Sequence, residues 1–328
     1  MNRMLAAAPR PLKCRAVFLI LWVMVFGIVG CSHLYTVDDP KIADYRPRRS
    51  QIDAVPFHAQ QKFDCGPAAL AMVLGWSGVS VSPETLAPQV LSPARSGTLQ
   101  AAMVAGARRY GRAAYEINGM DVLLDELRAK NPVIVLQNLG FFGSAQWHYA
   151  VAVGYDLDQG IVVLHTGKTA HQRLPIRLFQ ETWKKSDAWG LVIMPPSRIP
   201  ASASENAAVE AMIGLEHAGQ WQSASAGYQA AVARWPHSIP AHIGLANSYY
   251  ATGDLPSAER VLYRALQLAP ADGIVCNNLA QVLWEQGKAE QARDYARKAV
   301  EIGGPHEKTF RATLEQIQSE EPIGRKTP

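Results

Sequence analysis

The stretch Val55-Pro56-Phe57-His58-Ala59-Gln60-Gln61-Lys62-Phe63-Asp64-Cys65-Gly66-Pro67 runs directly into an apolar segment from Ala68 to Trp76. Pro67 suits the first turn of a helix, where its missing N–H costs nothing. A helix opening at Cys65 is therefore predicted. The partial positive charge at such an end favours thiolate over thiol, and the thiolate is the nucleophile. A cysteine kept only for packing sits more usually mid-helix among apolar neighbours. Cys65 is a candidate nucleophile on these grounds.

A nucleophilic thiol needs a base. After a predicted strand from Pro132 to Leu139 and a loop from Gly140 to Gln146 comes Trp147-His148-Tyr149-Ala150-Val151-Ala152-Val153-Gly154-Tyr155-Asp156, which reads as a strand buried on both faces. The turn Asp158-Gln159-Gly160 leads into a second strand, Ile161 to Thr166. A histidine at the end of a rigid strand beside a loop suits a positioned general base. Taken alone, His148 reads equally as a satisfied histidine at a strand end.

Together the two segments resemble the bacteriocin-leader-processing cysteine peptidases of the papain-like clan. The resemblance covers roughly residues 51–195 and rests on Gln60, Cys65-Gly66-Pro67 and His148 with Gly154-Tyr155-Asp156, in order and spacing. It implies an α+β papain-like domain in which Cys65 is the nucleophile and His148 first takes its proton and then protonates the leaving amine. It also implies that Gln60 donates its amide N–H to the oxyanion beside the Cys65 backbone N–H. Such a donor is worth about 2.7–4 kcal/mol in the transition state. Gln61 is the rival for that role.

One part of the pattern is missing. The family's third residue is an Asp on the strand after the His, yet here that place reads Leu164-His165-Thr166-Gly167, and no carboxylate occurs between Asp158 and Glu181. Asp156 is a poor substitute, since eight strand residues put it roughly 26 Å from His148. Thr166 and its neighbours are the nearest candidates to orient the imidazole. A neutral acceptor can fix a tautomer but stabilises the imidazolium less than a carboxylate does.

The last third of the chain is periodic. Gly219, Gly253 and Gly287 are 34 residues apart, as are Ala224, Ala258, Ala292 and Ala231, Ala265, Ala299, with Pro236 and Pro270 in step. Each unit reads as helix, Gly turn, second helix. Residues 205–304 look like three tetratricopeptide repeats, an all-α domain, with Ala208, His242 and Cys276 standing where that family has a first-helix Trp. Contacts in such arrays run between neighbouring repeats, so the array is expected to fold on its own and to offer a groove to a peptide or protein partner. Residues 196–204 read as a linker and 305–328 as a capping helix and tail. Cys276 reads as core, and His217, His237 and His242 have no partners at metal-binding spacing. No nucleotide-binding loop appears, and neither cofactor nor metal is expected.

At the other end, Arg3, Arg10, Lys13 and Arg15 precede fifteen uncharged, largely apolar residues, Ala16 to Gly30, whose end with the next residue reads Ile28-Val29-Gly30-Cys31. This is the build of a secretory signal, and its last four residues resemble the lipobox of bacterial lipoproteins, which implies that Cys31 is lipidated. Ser32, rather than Asp, favours the outer membrane on the periplasmic side. Residues 1–30 are thus read as signal peptide and 31–50 as a tether. Without the signal, 28 basic residues face 28 acidic ones, which leaves little attraction for a phosphate backbone and argues against a nucleic-acid partner. The expected activity is hydrolysis of peptide bonds through an acyl-enzyme. A catalytically degenerate scaffold of an envelope complex and a thiol acyltransferase are the rivals.

Overall fold

A computed structural model describes residues 44–61, 64–92, 97–140 and 144–319. The signal, Cys31 and most of the tether lie outside the described residues, as does the tail from 320. Among the described residues no helix is long and apolar enough to cross a membrane.

The N-terminal domain is α+β. Its order is β1 (Arg49–Gln51), α1 (Cys65–Trp76), α2 (Pro83–Val90), β2 (Leu91–Ser92), β3 (Gly97–Thr98), α3 (Gln100–Arg109), β4 (Ala113–Asn118), α4 (Met120–Arg128), β5 (Val133–Asn138), β6 (Trp147–Asp156), β7 (Ile161–Thr166), β8 (Thr169–Pro175), α5 (Ile176–Trp183) and β9 (Trp189–Met194). The main sheet runs β4-β9-β5-β6-β7-β8, and every pairing in it is antiparallel. Strands β6 and β9 are buried at all or nearly all positions, as expected for strands covered on both faces. Helix α1 is buried from Gly66 to Leu74, so it has no polar face and serves as the domain's central helix against β5 and β6.

The tether read over residues 31–50 ends earlier than its composition suggests. Residues 44–50 belong to the fold: β1 pairs with the far half of β6, Ser50 opposite Tyr155, where β5 has ended. Tyr45 packs edge-on against Tyr155 and donates to Asp125 Oδ1 at 2.7 Å. Buried Ser50 donates to the Leu127 carbonyl at 2.7 Å. Gly154 is required by this pairing, since a Cβ there would stand 3.1 Å from Gln51 Cα. The polar composition that reads as tether is that of an edge strand.

The C-terminal part is all-α: α6 (Glu205–His217), α7 (Trp221–Arg234), α8 (Ile239–Ala251), α9 (Leu255–Leu268), α10 (Gly273–Glu285), α11 (Ala289–Ile302) and α12 (Glu307–Ser319). Gly219, Gly253 and Gly287 adopt φ of +71°, +81° and +78°, the left-handed turn a side chain would resist. Ser204, Ser238, Asp254 and Asp272 cap their helices, and Ala224, Ala258 and Ala292 are fully buried. The Ala column thus lets paired helices approach, and Cys276 is buried among them.

The first repeat does not stand apart. Ala208, Ala211, Met212 and Leu215 of α6 join the core of the sheet, and α6 lies along β4. Buried Glu126 accepts from Asn131 Nδ2 and from the Ser202 backbone N–H, both at 2.6 Å. Gln220 Nε2 donates to the Arg109 carbonyl at 3.1 Å. The expectation of a self-sufficient array misses this docking because the 34-residue period records neighbour contacts only.

Candidate active site

Cys65, at the first turn of α1, and His148, second residue of β6, line the same cavity of about 990 Å3. The cavity is completed by Gly97 to Gln100, from β3 to the first residue of α3, by Ala145 to Tyr149, and by the turn at 185–187. Asn138 shapes the loop before the histidine: its Oδ1 accepts from the N–H groups of Gly140 and Gln146, both at 3.0 Å.

Thr166 is brought to His148. Thr166 Oγ1 and His148 Nε2 are 2.7 Å apart, because a bulge between Ala152 and Gly154 shifts the β6–β7 register and sets the end of β7 diagonally across from the histidine. With Nε2–H donated to the hydroxyl, Nδ1 is the nitrogen left for the thiol. Asp156 instead closes the far turn, accepting from the N–H groups of Asp158 and Gln159 at 3.1 Å and pairing with Arg49 at 3.0 Å. His165 points away. It is fully buried, accepts at Nδ1 from the His171 N–H at 3.1 Å, and so carries its proton on Nε2, 3.3 Å from the Val55 carbonyl.

The electrostatics run against one expectation. Burial pushes the Cys65 thiol up, with Asp64 adding to the rise, while the N–H groups of Tyr149, Gly66 and Cys65 itself pull it down without prevailing. The helix start acts in the anticipated direction, but desolvation of the thiolate is larger. Burial also pushes His148 down. Both shifts favour the uncharged pair, thiol and imidazole.

Gln60 is buried and does not line the cavity. Its Nε2 donates to the Tyr149 carbonyl at 3.0 Å and lies 3.5 Å from the Cys65 carbonyl, while its Oε1 accepts from the Gly167 N–H at 2.7 Å. The side chain therefore ties the segment before Cys65 to the strand bearing His148 and to the end of β7. Gln61, in contrast, faces the cavity.

Sequence reasoning passed over two wall residues. Thr98 covers Gly66, so that a Cβ on Gly66 would lie 2.6 Å from Thr98 Cβ; this is why a glycine follows Cys65. Tyr149 OH donates to the Thr98 carbonyl at 3.2 Å, and burial, with Cys65 nearby, pushes the phenol far up. Neither had a local signal beyond Tyr149's position after the histidine. Among the described residues no group of His, Cys, Asp and Glu could hold a metal ion.

Comparison with known proteins follows the same division. The model of the Peptidase C39-like family matches residues 52–188, and two tetratricopeptide repeat models match residues 215–262 and 241–304. No curated protein matches the chain. Among solved structures, the peptidase domain of Streptococcus ComA, a bifunctional ABC transporter, is 22% identical over 43% of this chain and 98% of that one, with a TM-score of 0.37. A C39-like peptidase from Bacillus anthracis is 17% identical over 44% of this chain and 97% of that one, with a TM-score of 0.38. The second tetratricopeptide repeat domain of human RPAP3, solved in complex with an HSP70 peptide, is 16% identical over 34% of this chain and 93% of that one, with a TM-score of 0.33. The chain thus carries a Peptidase C39-like domain followed by tetratricopeptide repeats.

Proposed function

We propose that the protein is a cysteine peptidase, held by a lipid on Cys31 at the periplasmic side of the outer membrane, whose repeats bind a peptide or protein partner. The observation that carries the activity is the cavity shared by Cys65 and His148, with the imidazole fixed through Nε2 by Thr166. Nδ1 takes the thiol proton as sulfur attacks the peptide carbonyl. The C–N bond then breaks, His148 protonates the departing amine, and a thioester remains. Water, deprotonated by His148, hydrolyses the thioester and returns the thiol. Because both groups are uncharged at rest, proton transfer accompanies attack rather than preceding it. Oxyanion stabilisation falls to the Cys65 backbone N–H and to one of Gln60 and Gln61. Gln60 Nε2 has two hydrogens; the Tyr149 carbonyl holds one, and the other would have to leave the Cys65 carbonyl 3.5 Å away to serve.

The test is cleavage of a peptide library by the full chain in detergent, compared with Cys65→Ala and His148→Ala. Specific cleavage lost in both variants supports the reading, and cleavage that survives in Cys65→Ala refutes it. The anchor is tested by metabolic labelling with a palmitate analogue, which should disappear in Cys31→Ala.

A second reading, a degenerate peptidase fold acting as a scaffold, draws on the absent carboxylate and on the burial that disfavours thiolate and imidazolium alike. No peptide cleaved, together with an iodoacetamide rate at Cys65 that His148→Ala leaves unchanged from pH 5 to 10, would favour it.

A further inference from the structure

We propose that Leu99 and Trp147 determine the specificity of the Cys65 site by gripping a large apolar side chain of the peptide beside the bond that is cut. The proposal rests on the peptidase reading and names its substrate class.

Four large hydrophobic residues are conspicuously exposed among the described residues: Leu99 at 44%, Trp147 at 51%, Leu178 at 44% and Ile213 at 38%. Scattered singly, such residues are ordinary. Two of the four, however, line the cavity of the reactive pair. Trp147 immediately precedes His148, and Leu99 follows Thr98, whose side chain covers Gly66 beside Cys65. Each apolar group is therefore one residue from a side chain packed at the reaction centre, and the two come from separate elements. What they contact in a bound peptide lies within a residue or so of the scissile bond.

Charge and size select the occupant. Among the described residues the permanently charged lining residues are Lys185 and Asp187, opposite in sign and from one turn, and Lys185 Nζ already lies 3.3 Å from the Gly140 carbonyl and 3.4 Å from that of Asn138. Among the described residues the walls supply no net charge to attract an ionic side chain. A volume of about 990 Å3 is far more than a small-residue slot requires and lies at the upper end for sites that enclose apolar ligands.

The test uses the full chain and two alkylating probes of equal intrinsic reactivity, N-(2-phenylethyl)iodoacetamide and N-(2-hydroxyethyl)iodoacetamide, each calibrated on a small free thiol. The ratio of their rates at Cys65, read by mass spectrometry, should exceed about tenfold, the factor that 1.4 kcal/mol of apolar burial provides. It should fall toward one in Trp147→Ser and in Leu99→Ser, and Trp147→Leu should keep most of it. A variant that merely disturbs Cys65 slows both probes and leaves the ratio unchanged. Fluorogenic peptides with Leu or Phe beside the cut bond should be cleaved correspondingly faster than those with Ser or Asn. A parent ratio near one, or a ratio that survives both Ser variants, overturns the proposal. A high, Trp147-dependent ratio with no peptide cleaved upholds the apolar grip and counts against the peptidase reading instead.

Discussion

Replacing Thr166 with Asp puts a carboxylate where the structure has a hydroxyl 2.7 Å from His148 Nε2. At about 4 Å and an effective dielectric of 20, opposite charges attract by about 4 kcal/mol before desolvation is charged against them. Desolvation of the new carboxylate offsets part of that, and carboxylate–cation pairs at such distances shift pKa values by about 1–3 units. The imidazolium is stabilised by that amount and, if His148 and Cys65 exchange one proton, so is the thiolate. Each unit raises the thiolate fraction tenfold, while the loss of nucleophilicity with falling thiol pKa takes back about threefold. Alkylation of Cys65 at pH 7 should therefore accelerate by about 3- to 50-fold, and its pH profile should move to lower pH. The parent profile should rise only above the ordinary thiol range, because burial holds Cys65 up. The assay is the second-order rate with iodoacetamide from pH 5 to 10 in parent, Thr166→Asp and His148→Ala. If both variants give the parent curve, the imidazole does not communicate with the thiol and the catalytic assignment fails.

Acid should destabilise the fold through buried histidines. His148 and His165 are both held below the ordinary imidazole value, chiefly by burial; a depressed folded-state pKa gives stability that is complete above about 6.5 and lost as pH falls through the folded value. Thermal unfolding should thus shift down between pH 7 and 5, and less so in His165→Gln. Gly66→Ala, whose Cβ would meet Thr98, should cost about 1–3 kcal/mol, and most of that should be recovered in the double variant with Thr98→Gly; denaturant titration of the four proteins closes the cycle. Glu126→Ala strands the donors of Asn131 and Ser202 and should cost about 2–5 kcal/mol in the same titration.

Much of this was legible in sequence because it is local. The start of α1 at Cys65 follows from Pro67, the β6–β7 hairpin from Asp158-Gln159-Gly160, and six of the seven C-terminal helices from the 34-residue step, with α12 where a capping helix was read. Thr166 could be named because a hairpin turn fixes which residues lie across from His148. What was missed is non-local. Arg49–Gln51 is a strand only because β6 outruns β5, and Gln60 is occupied only because Tyr149 and Gly167 arrive from 89 and 107 residues away. The sign of the Cys65 shift was missed for a related reason: the helix start is written in three residues, whereas desolvation depends on everything packed around them.

The docking of the first repeat determines how the chain comes apart. One continuous cluster runs from Ile52 through the sheet and α6 to Leu245, and a second begins at Ala246. The seam between cooperative blocks therefore falls inside α8 and not at residues 196–204, where composition alone would draw it. Severing the linker by protease would leave α6 and α7 bound to the sheet. On warming, or in native-state hydrogen exchange, the later repeats can open while the first melts together with the site that holds Cys65. The folding unit around Cys65 is thus the Peptidase C39-like domain and one repeat.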